Sequence, residues 1–466
     1  MTQTRRWPLP LFAGLAIAAA FLVLNHQAFN GWFQDDELDN IKWVPLLPYS
    51  YFLLRLPDPR FDLYNFRPVG HFFFRLMSPA FGMNFAPYVV PIFFFHLVNA
   101  CLLYLLMRKL GTRQWCAIAA TAFFTLSAAA FDTYWKPVYV FDLLCTTFSL
   151  MSVLFYAGQR WILSFIAFWL AYKAKETAVM LPAVLAAWEY WFGSRRLKIL
   201  IPFFAVSLSF GIQGLLRNPN KDNDYTFRFT FDALRHTLPF YSKRLLMFPP
   251  GGILLCALAF IRDRRIWFGI VSTLLIMVPL AFLPGRVFEA YAYLPFAFVS
   301  IALAAAASRV HPAWAWIALL LWMPFNIRRL RNERRATLDL DSKIAAVVSS
   351  MKMFADANPS VRTLVFNSAP AGFHDWGMTA GWNLAHRQID WPVLWFDSAD
   401  GRAALAAQTV AWGSWSDTPR RFTIHLRAKP DAAAQGKPAS DLATMNNSNK
   451  IRTGATTTPR IIPSRE

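Results

Sequence analysis

Apolar residues fill long stretches of this chain, and short polar turns interrupt them at the intervals a bilayer would set. A helix needs about 20 apolar residues to cross the hydrocarbon, and on that measure about eleven spans are expected. They lie near 8–28, 88–107, 115–131, 138–157, 161–174, 177–193, 199–216, 245–261, 266–284, 291–307 and 313–327. The first loop, 30–87, is long and broken by Pro45, Pro48, Pro57, Pro59, Pro68 and Pro79, and its aromatics and leucines predict short helices lying in the interface. After Arg335 the pattern becomes that of a soluble domain. Thr337 to Ala357 alternates as an amphipathic helix, and 361–366, 393–396 and 422–426 read as strands. The expected organisation is a transmembrane domain over 1–335, a small α/β domain over 336–428 and a disordered tail over 429–466. No internal repeat or inverted symmetry shows in the span pattern.

Composition sharpens this into an all-α polytopic membrane protein with a small C-terminal α/β soluble domain. Hydrophobic residues make up 56% of the 466 and charged residues 16%, against about a quarter charged in soluble domains. The net charge of +20 does not predict nucleic acid as a partner, because Lys and Arg sit in short clusters between apolar runs, as cytoplasmic loops and headgroup contacts require. Arg5-Arg6, Arg108-Lys109 with Arg113, Arg160, Arg195-Arg196 with Lys198, Arg262 with Arg264-Arg265, and Arg309 recur at every second junction. That places the N-terminus and these turns in the cytoplasm, with the first run as an uncleaved helix. The cluster Arg328-Arg329, Arg331 and Arg334-Arg335 disagrees: either the last span is re-entrant or this turn sits at the outer headgroups. Cys101, Cys116, Cys145 and Cys256 all fall inside apolar runs and read as small buried hydrophobes.

The opposite junctions carry the chemistry. Asp35, Asp36, Glu37 and Asp39 follow directly on the first apolar run. Ionised carboxylates are costly to hold beside hydrocarbon, so a cluster there reads as a site. Asp132, Lys136 and Asp142 fall at the second outer junction, Lys173, Lys175 and Glu176 at the third, Arg217, Lys221, Arg228, Arg235, Lys243 and Arg244 at the fourth, and Arg286, Glu289, Tyr291 and Tyr293 at the fifth. Plainer roles compete for several of these. Lys175 and Glu176 would make a structural ion pair, Asp142 a helix cap, His96 and Asn99 interhelical hydrogen bonds, and the tyrosines part of an aromatic belt.

Six segments, in this order, resemble the GT-C superfamily of membrane glycosyltransferases, nearest to its bacterial and TMTC-like O-mannosyltransferase branch. They are Asp35-Asp36-Glu37; Phe66-Arg67-Pro68-Val69-Gly70-His71; His96-Leu97-Val98-Asn99-Ala100; Phe141-Asp142-Leu143-Leu144; Lys175-Glu176-Thr177-Ala178 followed by Pro182; and Glu289-Ala290-Tyr291-Ala292-Tyr293-Leu294-Pro295. Val140 and Ala290 stand where the family often has Arg, and Arg286 is the candidate for the second of those charges. The resemblance implies an inverting transfer, on the extracytoplasmic face of a bacterial plasma membrane, from a polyprenyl-phosphate sugar to an acceptor hydroxyl. Such a transfer needs a base for the hydroxyl proton and cations for the departing phosphate. Asp36 is the candidate base, with Asp35 the alternative. Lys175 and Arg286, with Arg67 or Arg244, are candidates for the phosphate, and Glu37, His71, Asp142, Glu176, Glu289 and Tyr293 for binding. Asp35, Asp36 and Glu176 would suit Mg²⁺ or Mn²⁺ if a metal takes part. A lipid-linked sugar flippase, a polysaccharide polymerase or ligase, and a non-catalytic homologue are the alternative functions.

Overall fold

The computed structural model describes residues 8–60, 66–217, 226–246 and 251–428. The expected tail, together with Arg5, Arg6 and Lys221, lies outside the described residues. Among those residues, six helical stretches are long and apolar enough to cross a membrane: Leu9–Asn30, Ala86–Lys109, Pro137–Ala157, Leu197–Gly214, Arg264–Ala281 and Glu289–Ala307. A seventh is a bent pair, Gln114–Leu126 with Ala128–Trp135, turned by 47° at its break.

The remaining expected spans are shorter or broken. Trp161–Ala174 is helical over 14 residues. The run 177–193 opens on a 3-10 turn, Glu176–Met180, which leaves an α-helix of 11 residues, Leu181–Trp191, with a proline in its first turn. Both fall short of the about 20 residues that a crossing takes. The run 245–261 falls partly outside the described residues, and 313–327 is the start of a much longer helix. Apolar composition therefore marks these runs as buried in a bundle or bilayer without making each a full-length span.

That longer helix, Pro312–Ala357, continues for 46 residues, roughly 70 Å at the usual rise per residue. It carries the chain out of the apolar bundle and into the C-terminal sheet, so the change of composition at Arg335 falls within a helix. Its continuity also rules out a re-entrant last span. Arg334 donates to the Leu24 carbonyl at 3.0 Å, near the end of the first helix away from Arg5 and Arg6, and Glu333 pairs with Arg244 at 3.2 Å. The cluster Arg328–Arg335 thus sits at the acidic-loop end of the bundle. The other basic turns gather at the opposite end, where Arg265 reaches the Gly111 carbonyl, Arg113 the Val310 carbonyl, and Arg309 pairs with Asp263.

The first loop forms short helices, as expected. Tyr49–Arg55 leaves Leu53 and Leu54 exposed, and Pro68–Phe81 opens on its proline. Beyond the long helix, β1 (Leu364–Phe366) lies between β2 (Val393–Trp395) and β3 (Val410–Asp417), parallel to both, and β4 (Arg420–Arg427) pairs antiparallel with β3. The sheet order is β2-β1-β3-β4. Helices Asp375–His386 and Ala399–Ala407 make the two crossovers. β3 is a strand that the sequence pattern did not predict.

The break in the bent pair exposes backbone groups that a dry interior must satisfy. Fully buried Asn326 does so from the long helix: its Oδ1 accepts from the Ala128 N–H at 2.8 Å, and its Nδ2 donates to the Leu126 carbonyl at 2.7 Å. Asn326→Leu keeps the volume but orphans one buried donor and one acceptor, so a loss of about 2–4 kcal/mol is expected. Thermal unfolding in detergent micelles measures it, and a loss confined to a few tenths would overturn this account of the break.

Candidate functional site

The acidic stretch begins a short helix, Asp35–Trp43, whose N-terminus is held by a capping box. Gln34 accepts from the Glu37 backbone, while Glu37 Oε2 accepts from the Gln34 N–H at 3.1 Å. Glu37 Oε1 also accepts from the Val138 N–H at 3.2 Å, and the side chain is 2% exposed. Burial pushes its carboxyl up to about 7. One Glu37 oxygen thus caps its own helix and the other ties that helix to the segment before Val140, which argues against its expected binding role. The helix is fixed from a second side by Asp341 of the long helix, which accepts from the Trp32 N–H at 3.0 Å and from Gln34 Nε2 at 2.7 Å.

Asp35 and Asp36 face the C-terminal domain. Asp35 Oδ1 accepts from the His374 N–H at 2.9 Å, and Oδ2 lies 2.7 Å from His374 Nδ1. The hydrogen bond from Asp35, ahead of its charge, holds the His374 imidazole above its usual pKa. Trp376 Nε1 donates to Asp36 Oδ1 at 3.0 Å. Asp36 keeps surface open to water but is crowded by protein. That desolvation, with repulsion from Asp35 and Asp39, raises its carboxyl against the pull of Arg286 and the Trp376 hydrogen bond. A carboxyl that is sheltered, raised and still accessible is suited to accepting a proton. These contacts put the acidic helix and the C-terminal domain on one face of the bundle, whatever the number of spans.

A second charged group lies below. Lys175 Nζ donates to both oxygens of Asp142, at 2.6 and 2.7 Å, with the two side chains 5% and 7% exposed. The same ammonium sits 4.1 Å from the centre of the Tyr291 ring. Glu176 is claimed by Arg67 in a two-pronged pair at 2.7 and 2.8 Å. The expected Lys175–Glu176 pair is therefore replaced by two pairs with other elements. Asp142 lies in the first turn of its helix, as expected, but both of its oxygens accept from Lys175. His71 is buried beneath Arg67, accepting from and facing its backbone, and stacks on Phe66. Tyr139, which sequence reasoning missed, lies within electrostatic reach of both Asp36 and Asp142.

Three expected residues fall elsewhere. Tyr293 is 1% exposed and bonds His96 at 2.7 Å and Asn99 at 3.3 Å within the helix packing. His96 and Asn99 make the expected interhelical hydrogen bonds, to Thr125 and Leu143 carbonyls. Arg244 is buried and ion-paired with Glu289 as well as Glu333, so both expected partners are consumed by each other. Among the described residues no group of three or more His, Cys, Asp or Glu side chains is arranged to hold a metal. Asp35, Asp36 and Glu176 in particular are directed to His374, Trp376 and Arg67, and do not fit Mg²⁺ or Mn²⁺.

Two outcomes are expected from these contacts. A Cβ on Gly377 would collide with Asp35 Oδ1 and the Phe373 ring, so Gly377→Ala should lift helix Asp375–His386 from the acidic helix at about 1–3 kcal/mol. Faster amide exchange confined to Asp35–Trp43 and Asp375–His386 reports it. For Glu176, burial alone would raise the carboxyl, but the charge and hydrogen bonds of Arg67, with Lys175 beside them, hold it down from 4.5 to about 2. A depressed acid stabilises above its unfolded value and loses that contribution as pH falls through the folded one. The unfolding midpoint of the protein should therefore drop between pH 4.5 and about 2, and drop less in Glu176→Gln.

No known family matches the sequence, and no curated protein matches it. The arabinofuranosyltransferase AftD from mycobacteria resembles it at 17% identity with a TM-score of 0.49, over 84% of this chain and 32% of that one. This chain thus spans about a third of that protein's length. ArnT from Cupriavidus metallidurans, solved bound to undecaprenyl phosphate and in the apo state, resembles it at 12% identity with a TM-score of 0.47, over 87% of this chain and 93% of ArnT. With every score below 0.5, the reading of function rests on this chain's own residues.

Proposed function

We propose that the protein is a GT-C-type membrane glycosyltransferase that moves a sugar from a polyprenyl-phosphate donor to an acceptor hydroxyl outside the cytoplasm, with inversion. The observation that carries it is Asp36: a raised, accessible carboxyl where the first loop meets the C-terminal domain, bonded to Trp376 and within the field of Arg286. The acceptor hydroxyl gives its proton to Asp36 as its oxygen attacks the anomeric carbon. The bond from that carbon to the phosphate oxygen breaks, and its electron pair leaves on the polyprenyl phosphate. Arg286 stabilises the charge that develops there, while Lys175 and Arg67, each already matched by a carboxylate, add to the local field. The lipid tail lies in the bilayer beside the helices.

In this reading the site end of the bundle faces outward from a bacterial plasma membrane and the N-terminus is cytoplasmic. Trp161–Ala174 and Leu181–Trp191 are then short crossings, part of a total of eleven. The test is to supply the protein in nanodiscs with radiolabelled polyprenyl-phosphate hexoses. Release of free polyprenyl phosphate supports a transferase. Binding of donor without release from any of them sinks it and favours a flippase.

A further inference from the structure

His374 and Trp376 reach the acids from a domain that the acidic loop does not predict, and their geometry exceeds what holding the acids requires. The two rings stack with centroids 4.4 Å apart and planes 11° from parallel. Trp376 nevertheless stays 44% exposed and the His374 side chain 54% exposed. An indole usually hides its faces in packing and leaves only its N–H wet. Here the N–H is engaged, on Asp36 Oδ1, and the ring is left open.

Each carboxylate is also set differently. Both Asp35 oxygens are used by His374. Asp36 Oδ1 is used by Trp376, whereas Asp36 Oδ2 accepts no hydrogen bond among the described residues. An open aromatic face therefore adjoins a single unengaged carboxylate oxygen. A pyranose fits this arrangement: its C–H face is apolar and packs on an aromatic ring, while its rim of hydroxyls donates to carboxylates. A serine or threonine side chain in a peptide offers the hydroxyl but no flat apolar face.

We propose that the stacked His374–Trp376 pair is a saccharide platform, which presents a hydroxyl of a sugar-containing acceptor to Asp36 Oδ2. Trp376 is a specificity residue, and through its N–H it also positions Asp36. The transfer chemistry rests on the glycosyltransferase reading; the binding does not.

Binding alone therefore makes the test. Full-length protein in nanodiscs is titrated with methyl α-glucoside, methyl α-mannoside and methyl α-galactoside, and with a blocked threonine tripeptide, by saturation-transfer-difference NMR. At least one glycoside is expected to bind more tightly than the tripeptide, with saturation strongest at its ring C–H protons. Trp376→Ala is expected to weaken it about tenfold, the loss of one aromatic stack with its attached hydrogen bond. Trp376→Phe, which restores the ring without the N–H, is expected to recover most of that and guards against a folding defect in the alanine variant. Tighter binding of the tripeptide, absence of glycoside binding, or equal glycoside affinity in wild type, Trp376→Ala and Trp376→Phe overturns the platform. Turnover of polyprenyl-phosphate sugars is measured separately. A protein that binds glycosides through Trp376 but transfers nothing keeps the platform and loses the transferase reading.

Discussion

Asp36→Asn is expected to lower sugar transfer by about 10²- to 10⁴-fold, the usual worth of a positioned general base. Donor affinity should stay within a few-fold, because Asn has the same size and can still accept from Trp376 Nε1 at Oδ1. The control is Asp35→Asn. It breaks the pair with His374, so it should act through looser docking of the C-terminal domain and cost less. Transfer retained in Asp36→Asn and lost in Asp35→Asn would reverse the two roles. The pH profile supplies an independent check. Desolvation, with Asp35 and Asp39, raises the Asp36 carboxyl from its usual value, and Arg286 opposes that rise. Arg286→Gln should therefore move the acidic limb of the rate profile to higher pH, which a purely structural arginine would leave in place.

Asp142→Asn is expected to be the most destabilising of the single changes. Lys175 and Asp142 are both nearly inaccessible and bond through both carboxylate oxygens, so removing the acid strands an ammonium in a dry pocket. Breaking a buried pair from one side costs about 3–5 kcal/mol, whereas replacing both members is often close to neutral. Asp142→Asn with Lys175→Met should accordingly unfold near the wild-type midpoint. A double variant no more stable than the single one would show that Lys175 is needed for more than pairing.

The acids were legible because their chemistry conflicts with their place: carboxylates directly after an apolar run stand out whatever the fold. Their partners were not. Lys175 and Glu176 are adjacent in sequence, yet Lys175 is extended at φ −160° ahead of a 3-10 turn. Neighbouring side chains in extended backbone point to opposite sides, so one reaches Asp142 and the other Arg67. His374 and Trp376 escaped notice for a different reason, since they meet Asp35 and Asp36 across sequence separations of 339 and 340, beyond any local pattern. β3 was hidden by Gly413, Ser414, Ser416 and Asp417, residues that carry little strand preference on their own; Gly413 is held by β1 and β4, and the other three by β4. The surplus of expected full-length spans has a compositional origin. Apolar content is read equally from a long helix and from one that a 3-10 turn and a proline cut short, as at Glu176–Leu185.

The separation between the acidic pair and its cover also has a consequence for biogenesis. Asp35 and Asp36 leave the ribosome before His374 and Trp376, which follow only after the 46-residue helix. Until that segment is made, the two carboxylates lack the hydrogen bonds that His374 and Trp376 supply. A chain arrested before residue 374 is therefore expected to lack these contacts, and the site closes only once the segment beyond the long helix has been made.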